Sequence, residues 1–447
     1  MWTSRFVPLP CMLLLVACQC GRTAETADYG PGPDSRSACW DQPPTCRLPV
    51  KAGTLKWTWQ VPNSNDAPGP VVADRKGQVI LATPWALYAL RGSDGKLLWT
   101  VPSDIPFAEY QEGFRYCPPV VGPSGNLYVV MDNGDIRSYD AEGHKRWSVV
   151  MSGPYSPLDI NWRVAARPVI SAAGVMYVAG NKVEAFEGGS GKRLWEQVMP
   201  SRPGDGMANP VLAGDLLLVP LRWPPRVVAL EANSGKERWA ADLSQNPGSL
   251  GTLVVDRDLA LVIVSLRTMG IRISDGALLW TQQLADEHAV FPGVVTPDGQ
   301  ILAAHHHNKT EHYMHTLASL TREGKVAYDL SLVAGEQVQV EMLGPLGADG
   351  TLYISLRHAA KAETVFPDRL LGYSVHDRSI TTLAELPGPS DTPVLLPDGT
   401  LVFGSMTDDV PGKPVVYAVQ TQSAGLARGG WPRSGHDNQS SGDVATP

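Results

Sequence analysis

Five of the chain's ten histidines fall within eleven residues, at His305, His306, His307, His312 and His315. Imidazoles carried on both arms of a hairpin can meet at one metal ion, because the neutral ring nitrogen is a common ligand for zinc and its neighbours. Strand alternation puts His305 and His307 on one face and turns His306 away. The candidate metal ligands are therefore His305, His307, His312 and His315. No acidic or Cys residue stands at a diagnostic spacing from them, so an exposed hairpin turn is the favoured reading and a metal site the weaker one. Asp132-Asn133-Gly134-Asp135 suggests a calcium loop but lacks its twelve-residue ligand series. Asn-Gly between alternating strands first of all specifies a hairpin turn. No Gly-x-Ser-x-Gly elbow, phosphate loop or His-Glu-x-x-His motif occurs. The residues thus predict no catalytic constellation and no bound cofactor.

The cysteines carry a different chemistry. Behind Arg5 and an apolar segment around Met12-Leu13-Leu14-Leu15-Val16, too short to span a bilayer comfortably, the tetrad Leu15-Val16-Ala17-Cys18 resembles a bacterial lipobox. Pro8 and Pro10 interrupt the apolar segment and depart mildly from the pattern. The resemblance implies export, cleavage after residue 17, acylation of Cys18 and, with Gln19 following, an outer-membrane destination. Residues 1–17 are then the signal peptide. Residues 18–53, rich in Pro, Gly and small polar groups without hydrophobic period, read as a flexible tether. With Cys11 removed and Cys18 acylated, Cys20, Cys39, Cys46 and Cys117 remain. An oxidising compartment allows three pairings among them, and the short loop Cys39 to Cys46 is the easiest to close. No long uniform apolar stretch follows, so no transmembrane helix is expected in the mature chain. A formal net charge of −8, with no basic stripe interleaved with aromatics, argues against nucleic-acid binding.

The elements that must position all this repeat at a period of 40–50 residues. Leu87-Tyr88-Ala89-Leu90 leads through a Gly turn, Asp94-Gly95-Lys96, to a strand ending in Trp99. Related copies close at Trp147, Trp195, Trp239 and Trp280, and a sixth at Tyr328. Each unit opens with an apolar run, as at Pro70-Val71-Val72, Pro119-Val120-Val121 and Pro168-Val169-Ile170, and eight such starts can be placed, the last at Pro393-Val394-Leu395. Four short antiparallel strands repeated radially make a propeller blade, and closing the ring removes its open edges. The predicted fold is all-β, an eight-bladed propeller over 54–431, followed by a C-terminal tail at 432–447. The segment Thr54-Leu55-Lys56-Trp57-Thr58-Trp59-Gln60-Val61 looks like a fourth strand without its first three, so it is predicted to complete the last blade.

These copies resemble the quinoprotein-type, or PQQ-like, propeller repeat, with its small residue, apolar residue, acid, Gly-Lys and Trp in series. The resemblance implies a structural role between blades for Trp99, Trp147, Trp195, Trp239 and Trp280. The seventh copy departs, with His376-Asp377-Arg378-Ser379 in place of the Gly turn and no Trp. With lipobox and blade number added, the chain is similar to the propeller lipoproteins of outer-membrane β-barrel assembly. That implies a monomeric envelope protein, held to the membrane by its N-terminal lipid, acting as a scaffold or binding module for a protein partner. The alternative class is a PQQ-dependent oxidoreductase, or a small-ligand or metal-binding propeller. Quinoprotein dehydrogenases often carry two adjacent cysteines above the cofactor, and this chain has no adjacent pair.

Strand alternation places the second-to-third turns and the blade connections on one face. The long connections 100–118, 148–167 and 196–209 carry Phe107, Tyr110, Phe114, Tyr116, Tyr155 and Trp162 there. Aromatic loops on a rigid scaffold are where binding is commonly found. The competing reading is that they cap the ring.

Overall fold

The computed structural model describes residues 40, 46–62, 69–83, 85–102, 119–131, 134–151, 167–180, 182–199, 208–246, 248, 250–284, 293–305, 316–332, 338–358, 368–386, 392–406, 414–433, 435–437 and 441–443. Among them are eight four-stranded antiparallel sheets, each a blade. Blade 1 runs from the inner strand Val71–Ala73 through Gln78–Ala82 and Ala86–Arg91 to the outer strand Leu97–Pro102. Blades 2 to 7 follow in chain order over 120–150, 169–198, 211–242, 250–283, 294–331 and 338–385. Blade 8 takes three strands from 394–420, and its outer strand is Thr54–Gln60, which pairs antiparallel with Pro414–Gln420. The propeller is closed by the N-terminal strand, as its orphaned repeat predicted. No helix among the described residues is long and apolar enough to cross a membrane.

Burial follows from this stacking. Inner and middle strands are covered on both faces by neighbouring blades and read as unbroken apolar runs, such as Leu216–Leu221 and Leu259–Val264. Outer strands show the alternation of a half-solvated edge, as in Leu97–Pro102 and Arg193–Val198.

The repeat residues have a single geometric logic. A bulge shifts the register between third and outer strands in every blade, and in every blade but the seventh it sets the ring of the outer strand opposite a small residue. Trp99 faces Ala89, Trp147 Ser138, Trp195 Ala185, Trp239 Ala229 and Trp280 Gly270, while Trp57 faces Ala418. At Gly270 even a methyl group would collide with the Trp280 indole. The indole then reaches the next blade. Its Nε1 donates to a carbonyl in that blade's Gly turn: Trp57 to Gly92 (2.9 Å), Trp99 to Ala141 (2.8 Å), Trp147 to Gly188 (3.1 Å), Trp195 to Ala232 (3.0 Å), Trp239 to Ile273 (2.8 Å) and Trp280 to Arg322 (2.7 Å). The ring lies flat against the turn glycine, so that a Cβ on Gly276 would stand 2.5 Å from Trp239. One apolar plate with one donor thus fills the wedge between blades and satisfies a turn carbonyl.

Blade 7 breaks the series on both sides. Tyr328 takes the Trp position against it and shares a 2.8 Å hydrogen bond with the Tyr373 hydroxyl, with the Arg378 guanidinium 4.3 Å above its ring. Arg378 itself occupies the left-handed conformation (φ 61°) that glycines take in the other turns. Between blades 7 and 8 the contact is aliphatic and aromatic, through Leu383, Leu395, Leu401, Phe403 and Tyr417. The entering chain covers this seam. Leu48 N–H donates to the Gln422 carbonyl, Ala424 N–H to that of Cys46, and Arg47 pairs with Asp349 at 3.5 Å. Residues 46–53, expected as the end of a tether, are therefore docked on the ring, through backbone bonds to residues 420–424 at the end of blade 8's third strand and the ion pair to Asp349 of blade 7.

Candidate functional site

In each blade the first-to-second and third-to-fourth turns emerge on one face, here called the turn face. The second-to-third turns and the blade connections emerge on the other, the loop face. Inner strands are made of small and medium residues, Val, Leu, Ile and Ala, and eight of them leave a channel along the ring axis. What fills it is the end of the chain.

Residues 432–447 were expected as a tail. Instead Trp431 exchanges two backbone hydrogen bonds with Val295, and the Pro432 carbonyl accepts from Leu346 N–H (2.7 Å). Arg433 is fully buried, and its guanidinium donates to the carbonyls of Asp437 and, on blade 1, Val71. Ser441 accepts from Ile170 N–H (3.0 Å), Gly442 from Leu212 N–H (2.9 Å), and the Asp443 carboxylate from Ala172 N–H (2.9 Å). The segment is thereby bonded to the inner strands of blades 1, 3, 4, 6 and 7. The physical reason is that strand ends around an empty channel would leave buried N–H and C=O groups without partners.

One charge holds the plug's own shape. Asp437 is buried and accepts from Ser441 Oγ (2.6 Å) and Ser441 N–H (2.9 Å). Burial alone would raise its pKa, but His436 and Ser441 outweigh it and hold the carboxyl below its ordinary range. On blade 3, burial together with the Asp443 charge pushes the Tyr177 hydroxyl up to about 12.

Above the plug, toward the loop face, a cavity of about 40 Å³ is lined by Arg167, Asn209, Leu253, Leu343, Trp431 and Gly442 among others. That is room for a few water molecules. A tricyclic quinone is too large for a cavity of that size.

The histidine cluster is divided by the structure. His305 ends a strand of blade 6, fully buried, with its Nε2 3.0 Å from Asp329 Oδ1 on the outer strand. It is thus not part of an exposed turn, and the acid that partners it lies 24 residues away, a separation that only strand pairing can bring together. His307, His312 and His315 lie outside the described residues, and no group of three or more His, Cys, Asp or Glu side chains capable of holding a metal occurs among those described. Cys46 is buried and disulfide-bonded. Cys39, Cys20 and Cys117 lie outside the described residues, as do Cys18, Phe107, Tyr110, Phe114, Tyr116, Tyr155 and Trp162. The plug was missed by sequence reading. Its signal was the run Gly430-Trp431-Pro432-Arg433-Ser434-Gly435-His436-Asp437, too specific for a solvated tail.

Comparison with known proteins agrees with this architecture. A family model described as outer membrane protein assembly factor BamB matches residues 47–207 and 179–355. Among solved structures, BamB from Moraxella catarrhalis is 14% identical with a TM-score of 0.53, covering 82% of this chain and 99% of that one. Quinohemoprotein alcohol dehydrogenase from Comamonas testosteroni is 12% identical, TM-score 0.54, covering 83% and 78%. The C-terminal WD40 domain of Sif2 is 8% identical, TM-score 0.60, covering 83% and 99%. At these identities the structural likeness speaks for the fold alone. A search of curated protein sequences found no match. With the family model spanning well over half the chain and the repeat geometry in place, the chain belongs to the BamB-like family of PQQ-type β-propellers.

Proposed function

We propose that this protein is a non-catalytic interaction scaffold of the bacterial envelope, lipid-anchored at Cys18, that binds a protein partner in outer-membrane protein assembly. The observation that carries the reading is the plugged channel. Residues 431–433, 435–437 and 441–443 of the chain itself lie buried against the inner strands, which leaves the outward surfaces as the binding regions. Membership in the BamB-like family supports the envelope and the protein partner. The likeness to a quinohemoprotein dehydrogenase concerns the fold and does not favour oxidoreductase chemistry.

The test is affinity capture of the full-length chain from detergent-solubilised envelopes. Recovery of barrel-assembly components in stoichiometric amount is the expected result. Saturable binding of pyrroloquinoline quinone with calcium, a bound chromophore and turnover of a dye would overturn it.

A further inference from the structure

Blade 4 carries an exposed tryptophan in its second-to-third turn, where the blade-1 turn has Trp85 only partly exposed. The blade-4 hairpin, Leu221-Arg222-Trp223-Pro224-Pro225-Arg226, projects Trp223 from the loop face with half of its surface in solvent. The hairpin is rigid: Leu221 pairs with Arg226, Leu243 N–H donates to the Pro225 carbonyl (3.0 Å), and Leu250 N–H donates to that of Arg222 (3.4 Å). The connection to blade 5 is thus short and tied down along the hairpin, and it leaves Trp223 standing clear. Arg222 and Arg226 stand either side of it in the hairpin; both residues are partly exposed, while their Nε atoms are buried with no hydrogen-bond partner among the described residues. The neighbouring blade-5 hairpin adds Arg267, half-buried at the start of its third strand. Asp242 pairs in register with Arg226 and accepts from the Ser244 N–H (2.9 Å); its bonds to Ser244 and the Arg226 charge hold its carboxyl below its ordinary range. The result is a basic island around an exposed Trp on a chain whose formal net charge is −8.

Resting on the scaffold reading, we propose that this Arg222–Trp223–Arg226 hairpin is the docking anchor for an acidic segment of the protein partner. An exposed, pre-ordered Trp supplies apolar area at little entropic cost, and flanking guanidinium groups take carboxylates in paired hydrogen bonds. A membrane surface is the poorer occupant. The hairpin offers one exposed ring beside two arginines, which suits a single acidic segment and supplies little apolar area for insertion into a bilayer.

The experiment places a benzoylphenylalanine photocrosslinker at position 224 of the full-length chain in living cells, with a second at position 198 on the loop-face end of blade 3. The expected result is a protein adduct at 224 whose crosslinked peptide contains clustered Asp or Glu. Its yield falls at least about tenfold with Trp223→Ala and likewise with Arg222→Glu plus Arg226→Glu, while Arg222→Lys plus Arg226→Lys retains most of it. Should the charge-reversed variant fail to fold, the same dependence is read by raising salt on isolated envelopes, which screens exposed charge pairs and must lower the yield. Adducts to lipid, to a peptide without acidic residues, or insensitive to Trp223→Ala and to salt overturn the proposal. A protein adduct at 198 with none at 224 overturns it while leaving the scaffold reading intact; no protein adduct at either position removes both.

Discussion

Replacing Gly276 by Ala tests the inter-blade docking that builds the ring. Gly276 has φ +74°, where an L residue costs about 1–2 kcal/mol. Its new Cβ would stand 2.5 Å from Cε3 and 2.8 Å from Cδ2 of Trp239, well inside contact distance, and the indole cannot retreat without leaving its wedge. Displacing the ring also stretches the Nε1 bond to the Ile273 carbonyl, worth about 0.5–1.5 kcal/mol, and overpacks the wedge by about 1–3 kcal/mol. The expected loss is about 3–5 kcal/mol. Gly174→Ala is the matched control, because Gly174 has nearly the same φ (+79°) and nothing lies within 4 Å of where its new methyl group would stand. It should cost about 1–2 kcal/mol from backbone alone. Urea unfolding followed by far-UV circular dichroism measures both, with the slope expected to stay unchanged. If the two variants lose equal stability, the indole is not what locks blade to blade and the reasoning fails.

Three further outcomes are expected. Asp437 is held below its ordinary pKa of 3.8, so its ionised form stabilises the fold above that value and the contribution is lost as pH falls through the lower folded pKa. Asp437→Asn should lower the melting temperature at pH 7 and narrow the loss of stability between pH 7 and about pH 3; an undiminished acid sensitivity would count against the buried carboxylate. Non-reducing peptide mapping should join Cys46 to Cys39, with Cys46→Ser costing about 2 kcal/mol in a chemical denaturation series; a Cys46 bridge to Cys20 or Cys117 refutes the short-loop pairing. Cys18→Ser should move the chain from the membrane to the soluble fraction on ultracentrifugation, and retention in the membrane would argue against acylation there.

The amino-acid sequence by itself determined the architecture, because the constraint that builds a blade is local. A small residue must face an indole across one strand pair, and a glycine must lie under that indole one blade later, so Ala89, Trp99 and Gly143 recur at fixed offsets with their equivalents. The orphan strand holding Trp57 was placed by the same rule, since it had a docking ring and lacked the three strands before it. What only the tertiary structure decided are contacts between segments far apart in the chain. His305 meets Asp329 across a blade, residues 46–53 dock on blades 7 and 8, and Arg433, Asp437 and Asp443 close a channel that exists only once eight inner strands have been arranged in a ring. Trp223 differs for the same reason. Its neighbours lack the Gly turn that precedes the structural indoles, but whether a ring outside the repeat position is covered or exposed depends on what packs against it.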